Sequence, residues 1–91
     1  MFGIDPMVGV IQTRRTILSF ETKDVSIAII EFNETKWGRQ YGQPYTDVGW
    51  KATGADDYCF LDCKSYKAKM AAFKKMVKEV KNGKIKFSCK K

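Results

Sequence analysis

The run Val25–Asn33 (VSIAIIEFN) places apolar, mostly β-branched side chains on both of its faces. A strand of that kind belongs in the middle of a sheet, covered on both sides. The cover must come from the rest of a 91-residue chain, which is long enough for a modest core. Hydrophobic content of 44% and aromatic content of 13% exclude the disordered class. At this size a homodimer would help to bury apolar surface.

Other segments read as partners for that strand. Val8–Arg15 (VGVIQTRR) and Thr16–Glu21 (TILSFE) form a strand that continues through a bend or bulge near Arg14 and Arg15. Its alternation puts Leu18 and Phe20 on one face and Ile17, Ser19 and Glu21 on the other. Thr22-Lys23-Asp24 supplies a short polar turn. Glu34–Gly49 holds Gly38, Gly42, Gly49 and Pro44 and reads as a long loop or flexible hairpin tip. Val48–Thr53 and Tyr58–Asp62 then form a second hairpin around Gly54-Ala55-Asp56-Asp57. Residues 1–7 carry Pro6 and little periodicity and read as a lead-in.

After Ser65 the period changes. Tyr66, Met70, Phe73, Val77 and Val80 recur at helical intervals, with Ala72 and Met76 widening the stripe, which predicts a helix over 65–81. Asn82-Gly83 stops it. Lys84–Cys89 (KIKFSC) alternates again, with Ile85, Phe87 and Cys89 inward, as a short edge strand protected by its lysines. The sum is an α+β domain spanning 1–91: an antiparallel sheet of four or five strands with one C-terminal amphipathic helix packed on it. Within it, 8–62 supplies the strands and the long aromatic loop, 65–81 the helix and 84–89 the edge strand.

Charge is distributed unevenly along this frame. Eleven of the seventeen basic residues follow Cys63 against one acid, Glu79, so that segment carries +10 and the rest −3. Lys67, Lys74, Lys78 and Lys81 share the outer face of the helix, with almost no glutamate to pair with them. Such a face suits a polyanion, although any amphipathic helix shows charge to water. Lysine in place of arginine favours nonspecific phosphate attraction over base readout.

The loop 36–51 (KWGRQYGQPYTDVGWK) adds a second ingredient. It interleaves Trp37, Tyr41, Tyr45 and Trp50 with Lys36, Arg39 and Lys51. Stacking of bases on aromatic rings, with cations tracking phosphates, is how single strands are held without sequence preference. The alternative is that these aromatics fold back as a satellite core.

The segments TILSFETKDVSIAIIEFN and CFLDCKSYKAKMAAFKKMVKEV resemble the first hairpin and the last strand and helix of the transcriptional positive cofactor four family, single-stranded-DNA-binding domains. They cover about half the chain. The resemblance implies four strands followed by a helix, a dimer formed through the helix, and single strands gripped by curved β-ridges. It carries over to Arg14 and Arg15 before the strand, Lys23 in the turn, and Trp37 and Arg39 in the loop. The long loop and the strand after the helix depart from the family's pattern.

Catalysis finds less support. Asp47 followed by Asp62-Cys63-Lys64 is similar to the D…(D/E)-x-K pattern of restriction-endonuclease-like nucleases, but so short a motif recurs by chance and lacks its usual preceding helix. Asp62 reads instead as a residue that caps or initiates the helix. The chain has no histidine, so triad chemistry has no base. Cys59, Cys63 and Cys89 are an odd count, read as reduced, buried thiols with no metal or cofactor. On one strand Cys59 and Cys63 would stand roughly 13 Å apart, past the bridging limit of about 7 Å. An apolar run of four, Ile27–Ile30, is as long as any, too short to span a bilayer, and no secretory pattern opens the chain.

The expectation is therefore a non-enzymatic, intracellular, cytoplasmic accessory protein of viral or bacterial kind that binds single-stranded DNA or RNA in replication, recombination or transcription. If viral, it would act in the host cytoplasm. The candidate contacts are Arg14, Arg15, Lys23, Lys36, Trp37, Arg39, Tyr41, Trp50, Lys51, Lys67, Lys74, Lys78 and Lys81. The alternative is a small phage-type inhibitor that docks on an acidic or nucleic-acid-binding site of a host protein.

Overall fold

A computed structural model describes residues 9–87. Two long strands, β1 (Val10–Glu21) and β2 (Val25–Lys36), form an antiparallel hairpin around the 22–24 turn. Thr22 closes that turn: its hydroxyl accepts from the Asp24 and Val25 amides at 3.2 and 3.1 Å. The sheet continues through β3 (Arg39–Gln40), β4 (Tyr45–Ala52) and β5 (Cys59–Phe60), and the chain ends in α1 (Tyr66–Lys81). The main strand order is β1-β2-β4-β5, with β3 pairing β2 beside the far end of the hairpin. This is the α+β fold expected: an antiparallel sheet with a C-terminal helix on it.

β2 is central, and the burial of Val25 through Ile30 without a break matches its two-faced apolar sequence. Alternation divides its side chains between two clusters. Ile27 and Ile29 join Val48 and the helix residue Met76 in the main core, while Ala28, Ile30 and Phe32 face away from the helix and are roofed by Tyr58 and Phe60. Gly49 permits that roof, because a Cβ there would lie 2.9 Å from both the Cys59 carbonyl and the Phe60 ring.

Some expectations hold and others need correction. The bulge expected near Arg14 and Arg15 is present, between Thr16 and Leu18. Ile17 is the extra residue there, so it joins Leu18 and Phe20 against the core and does not face away with Ser19. Of the two readings of 34–49, a long loop or a hairpin tip, the structure takes the second: β2 runs on to Lys36, and a two-residue turn at Trp37-Gly38 leads straight into β3.

The helix begins as its sequence implies, but the cap is Ser65, whose Oγ accepts from the Ala68 amide at 3.1 Å, and not Asp62. Its most buried residue is Met76, while Tyr66 is half exposed because the apolar floor of Ile27, Ile29 and Val48 does not reach it. After the Asn82-Gly83 stop, residues 84–87 are not a strand, and Ile85 is exposed rather than inward, although Phe87 packs on Trp50. Residues 1–7, the start of the first strand at Val8, and Cys89 with the end of the expected edge strand lie outside the described residues.

Cys63 is a free thiol, but Cys59 is disulfide-bonded, which overturns its reading as a reduced thiol. The two are not joined to each other, although β5 ends at Phe60 and they do not share the strand that the expected separation assumes. The reduced reading came from cysteine count and compartment, neither of which specifies connectivity.

Candidate nucleic-acid interface

The far end of the hairpin is built from an unusual turn. Lys36 pairs with Arg39, and both residues between them have positive φ, Trp37 at 51° and Gly38 at 79°. That is a type I′ connection, whose twist matches the flanking strands and whose first position ordinarily takes Asn, Asp or Gly. A tryptophan there is a backbone outlier. Its indole is 69% exposed and lies against Gly9, where a Cβ would come within 2.1 Å of Nε1. Lys36 Nζ stands 5.2 Å from the Trp37 ring centroid and 5.5 Å from that of Tyr41, so one ammonium serves two exposed rings. Arg39, beside them, is exposed.

Toward the middle of the sheet, the helix-free face carries an aromatic row. Tyr45 stacks on Phe32 with centroids 5.1 Å apart, Phe60 meets Phe32 edge-on at 5.5 Å, and Tyr58 lies 5.9 Å beyond Phe60. Aromatic pairs at these separations add about 0.5–1.5 kcal/mol each beyond area burial. Cations cap the row: the Arg14 guanidinium sits 5.0 Å over Phe32, and Lys51 Nζ sits 5.0 Å over Tyr58 while donating to the Ala55 carbonyl at 3.2 Å. Phe32 is buried under its neighbours, so a ligand above the Phe32 stack meets the exposed Tyr45 ring. Gln12 holds it by donating to the phenol oxygen at 3.2 Å. Burial raises the Tyr45 and Tyr58 phenols above the ordinary tyrosine value, so both keep their protons at neutral pH.

Acids temper this face. Asp57 pairs with Arg14 at 2.9 Å, and the hydrogen bonds from Arg14 and from the Tyr58 amide hold its carboxyl below the usual range. Both groups are about half exposed, so the pair contributes little to stability. Arg15 projects to the other face, pairing with Glu31 at 3.1 Å. Burial pushes the Asp47 carboxyl up, while Lys69, which donates to the Thr46 carbonyl, pulls it partly back.

The remaining candidates are dispersed. Lys67, Lys74, Lys78 and Lys81 are exposed on the helix, on the opposite side of the sheet from the aromatic row. Lys81 leans over the Phe20 ring at 5.7 Å. Lys23 lies in the turn at the other end of β2, about 36 Å along the strand from Trp37. Trp50, opposite Ile27, points to the helix side and packs with Phe87 at 5.6 Å, so it belongs to the core and not to a stacking surface. Its indole N–H has no acceptor among the described residues.

The structure thus brings Lys36, Trp37, Arg39 and Tyr41 together at the hairpin tip and places Arg14 and Lys51 on the helix-free face, with Lys51 opposite Ser26, about 33 Å along the sheet from Lys36. It separates them from Arg15, Lys23, Trp50 and the helix lysines. Sequence reading missed Phe32, Tyr58 and Phe60 as members of the surface and left Tyr45 out of the expected contacts. The period-two spacing of Tyr58 and Phe60 was a signal, but the Phe32–Tyr45 pair emerges only from the register between distant strands. Among the described residues no group of three or more Cys, Asp or Glu side chains is placed to hold a metal ion, and no helix is long and apolar enough to cross a membrane. No family model, curated protein or solved structure matches the chain.

Proposed function

We propose that this protein binds single-stranded nucleic acid without catalysis, as an accessory factor in replication, recombination or transcription. The observation that carries the reading is the hairpin tip, where Trp37 is presented to solvent from a left-handed backbone beside Tyr41, with Lys36 between the two rings. A backbone outlier that exposes a large ring is the kind of local cost that accompanies a binding role. Flat rings next to a cation fit a base and its phosphate. The sheet-then-helix order is also that of the single-strand-binding family the sequence resembles.

The test is a fluorescence titration with single-stranded DNA, duplex DNA and RNA at two salt concentrations. Single strands should quench Trp37 emission, and affinity should fall steeply with salt. Absence of quenching by every nucleic acid at low salt would reject the reading.

A second reading has its own observation. Phe73 and Val77 line a shallow groove of about 270 Å³ on the helix, bordered by Lys74, Lys78 and Lys81. Phosphates have no use for an apolar floor, whereas an acidic segment with apolar side chains on a host protein would use both parts. A stoichiometric protein partner, with weak and unselective nucleic-acid binding, would favour this inhibitor-like role.

A further inference from the structure

A cavity of about 310 Å³ opens on the helix-free face, at the end of the sheet away from the tip. Thr16, Ser19 and Glu21 of β1, Ser26 of β2 and Tyr58 surround it. The bulge at Ile17 creates it in part, because it resets the alternation so that Ser19 and Glu21 face Ala28 and Ser26 on this side. Ser26 is only 3% exposed, and its hydroxyl donates to Glu21 Oε2 at 2.7 Å. That bond fixes the carboxylate and leaves most of its acceptor capacity unused. The site therefore combines an oriented acceptor, hydroxyls that donate or accept, and an aromatic ring, at the low end of volumes typical of small-molecule pockets.

A carboxylate repels phosphate, so the portion of a nucleic acid that fits here is a base with N–H donors on its edge. Guanine presents two adjacent donors, N1–H and N2–H, that match the two oxygens of one carboxylate. Thymine and uracil present a single N3–H between two carbonyl oxygens, which a carboxylate disfavours. We infer that this cavity receives an unpaired guanine, held edge-on by Glu21 and stacked against Tyr58. The inference rests on the single-strand reading above and gives it a base preference. The hydroxyls of Thr16 and Ser19 are available to guanine O6, and Lys51, already over the Tyr58 ring, stands where a cation can meet the nucleotide's phosphate.

The test compares an all-thymine DNA oligomer with one of the same length carrying a single central guanine, at low salt. Wild-type protein should bind the guanine oligomer about tenfold more tightly, within the discrimination that a two-bond base contact supplies. Glu21→Gln should bring the ratio close to one without weakening binding to the all-thymine oligomer, since the change removes a negative charge. Should that variant fail to fold by circular dichroism, Tyr58→Leu removes the stacking wall and must lower the ratio as well. Equal binding of the two oligomers by the wild type, or a ratio that survives the substitution, overturns the guanine site and leaves single-strand binding standing. If the all-thymine oligomer and the guanine oligomer both fail to bind, the single-strand reading falls and the guanine site with it.

Discussion

Replacing Trp37 by asparagine should change stability little and binding greatly. Asparagine followed by Gly38 is the preferred pair for a type I′ turn, and a bulky residue in the left-handed region costs about 1–2 kcal/mol that asparagine largely avoids. Against that relief stands the packing of the indole. It is 69% exposed, so about a third of its surface is covered. Roughly 80 Å² of covered ring at about 25 cal/mol per Å² corresponds to about 2 kcal/mol, and the interaction with Lys36 adds about 0.5–1 kcal/mol. The opposing terms leave a net loss of about 1 kcal/mol, a fall of about 4–8 °C in thermal midpoint. Stacking on a base is worth about 1–3 kcal/mol, so affinity for a single strand should drop by about 5- to 150-fold. Thermal denaturation followed by circular dichroism and an anisotropy titration with labelled single-stranded DNA give the two numbers. A folded variant that binds as well as the parent rejects stacking at this position. A loss of many kcal/mol in stability would instead make Trp37 a structural anchor.

Three further outcomes are expected. Met76→Ala should cost about 2–5 kcal/mol, because the side chain is buried among Ile27, Ile29 and Val48, whereas Tyr66→Ala should stay within about 1 kcal/mol; equal denaturation midpoints would contradict the helix orientation. Changing Lys67, Lys74, Lys78 and Lys81 together to glutamine should flatten the salt dependence of single-strand binding by about 0.7 in log–log slope for each phosphate no longer neutralised, and an unchanged slope would move the electrostatic footprint to the hairpin. Burial raises the Asp47 carboxyl in the folded state, so the native protein holds that proton more tightly than the unfolded chain and loses stability as pH rises through the folded value. Asp47→Asn should therefore raise the denaturation midpoint at neutral pH and match the parent below about pH 4, and a parent that stays the more stable at neutral pH would contradict the sign.

What the sequence made legible was whatever depends on one segment at a time. The two-faced run Val25–Asn33 required a central strand, and the period-3.6 stripe with Asn82-Gly83 after it required a helix ending where it does. What it hid depends on partners far away in the chain. Trp37-Gly38 is a tight turn whose first residue contradicts the usual preference, so the glycines around it left a long loop and a hairpin tip both open. The depth of Met76 and the exposure of Tyr66 follow from where the sheet's apolar floor ends, which no helical period reveals. Trp50 and Tyr45 lie on one strand five residues apart and so on opposite faces, one in the core and one in the aromatic row. Sequence proximity had joined them in one loop.

The same alternation bears on how the two candidate surfaces relate. The helix lysines and the aromatic row lie on opposite sides of the sheet, so a ligand touching both must pass around an edge or beyond an end. β1 is an edge strand, and its successive residues Arg14 and Arg15 project to opposite faces, Arg14 over Phe32 and Arg15 beside Glu31. The acids paired with these guanidiniums, Asp57 and Glu31, are exposed or partly exposed, and such pairings contribute little and are readily exchanged for phosphate. A single strand crossing β1 at this point would meet a cation on each side of the rim, with the exposed stretch 11–16 beneath it. A protein partner confined to the helix groove would meet neither arginine. Loss of single-strand affinity on Arg14→Gln and Arg15→Gln together, with retention of any protein partner, would therefore separate the two functional readings more sharply than changes in the lysine face, which both readings use.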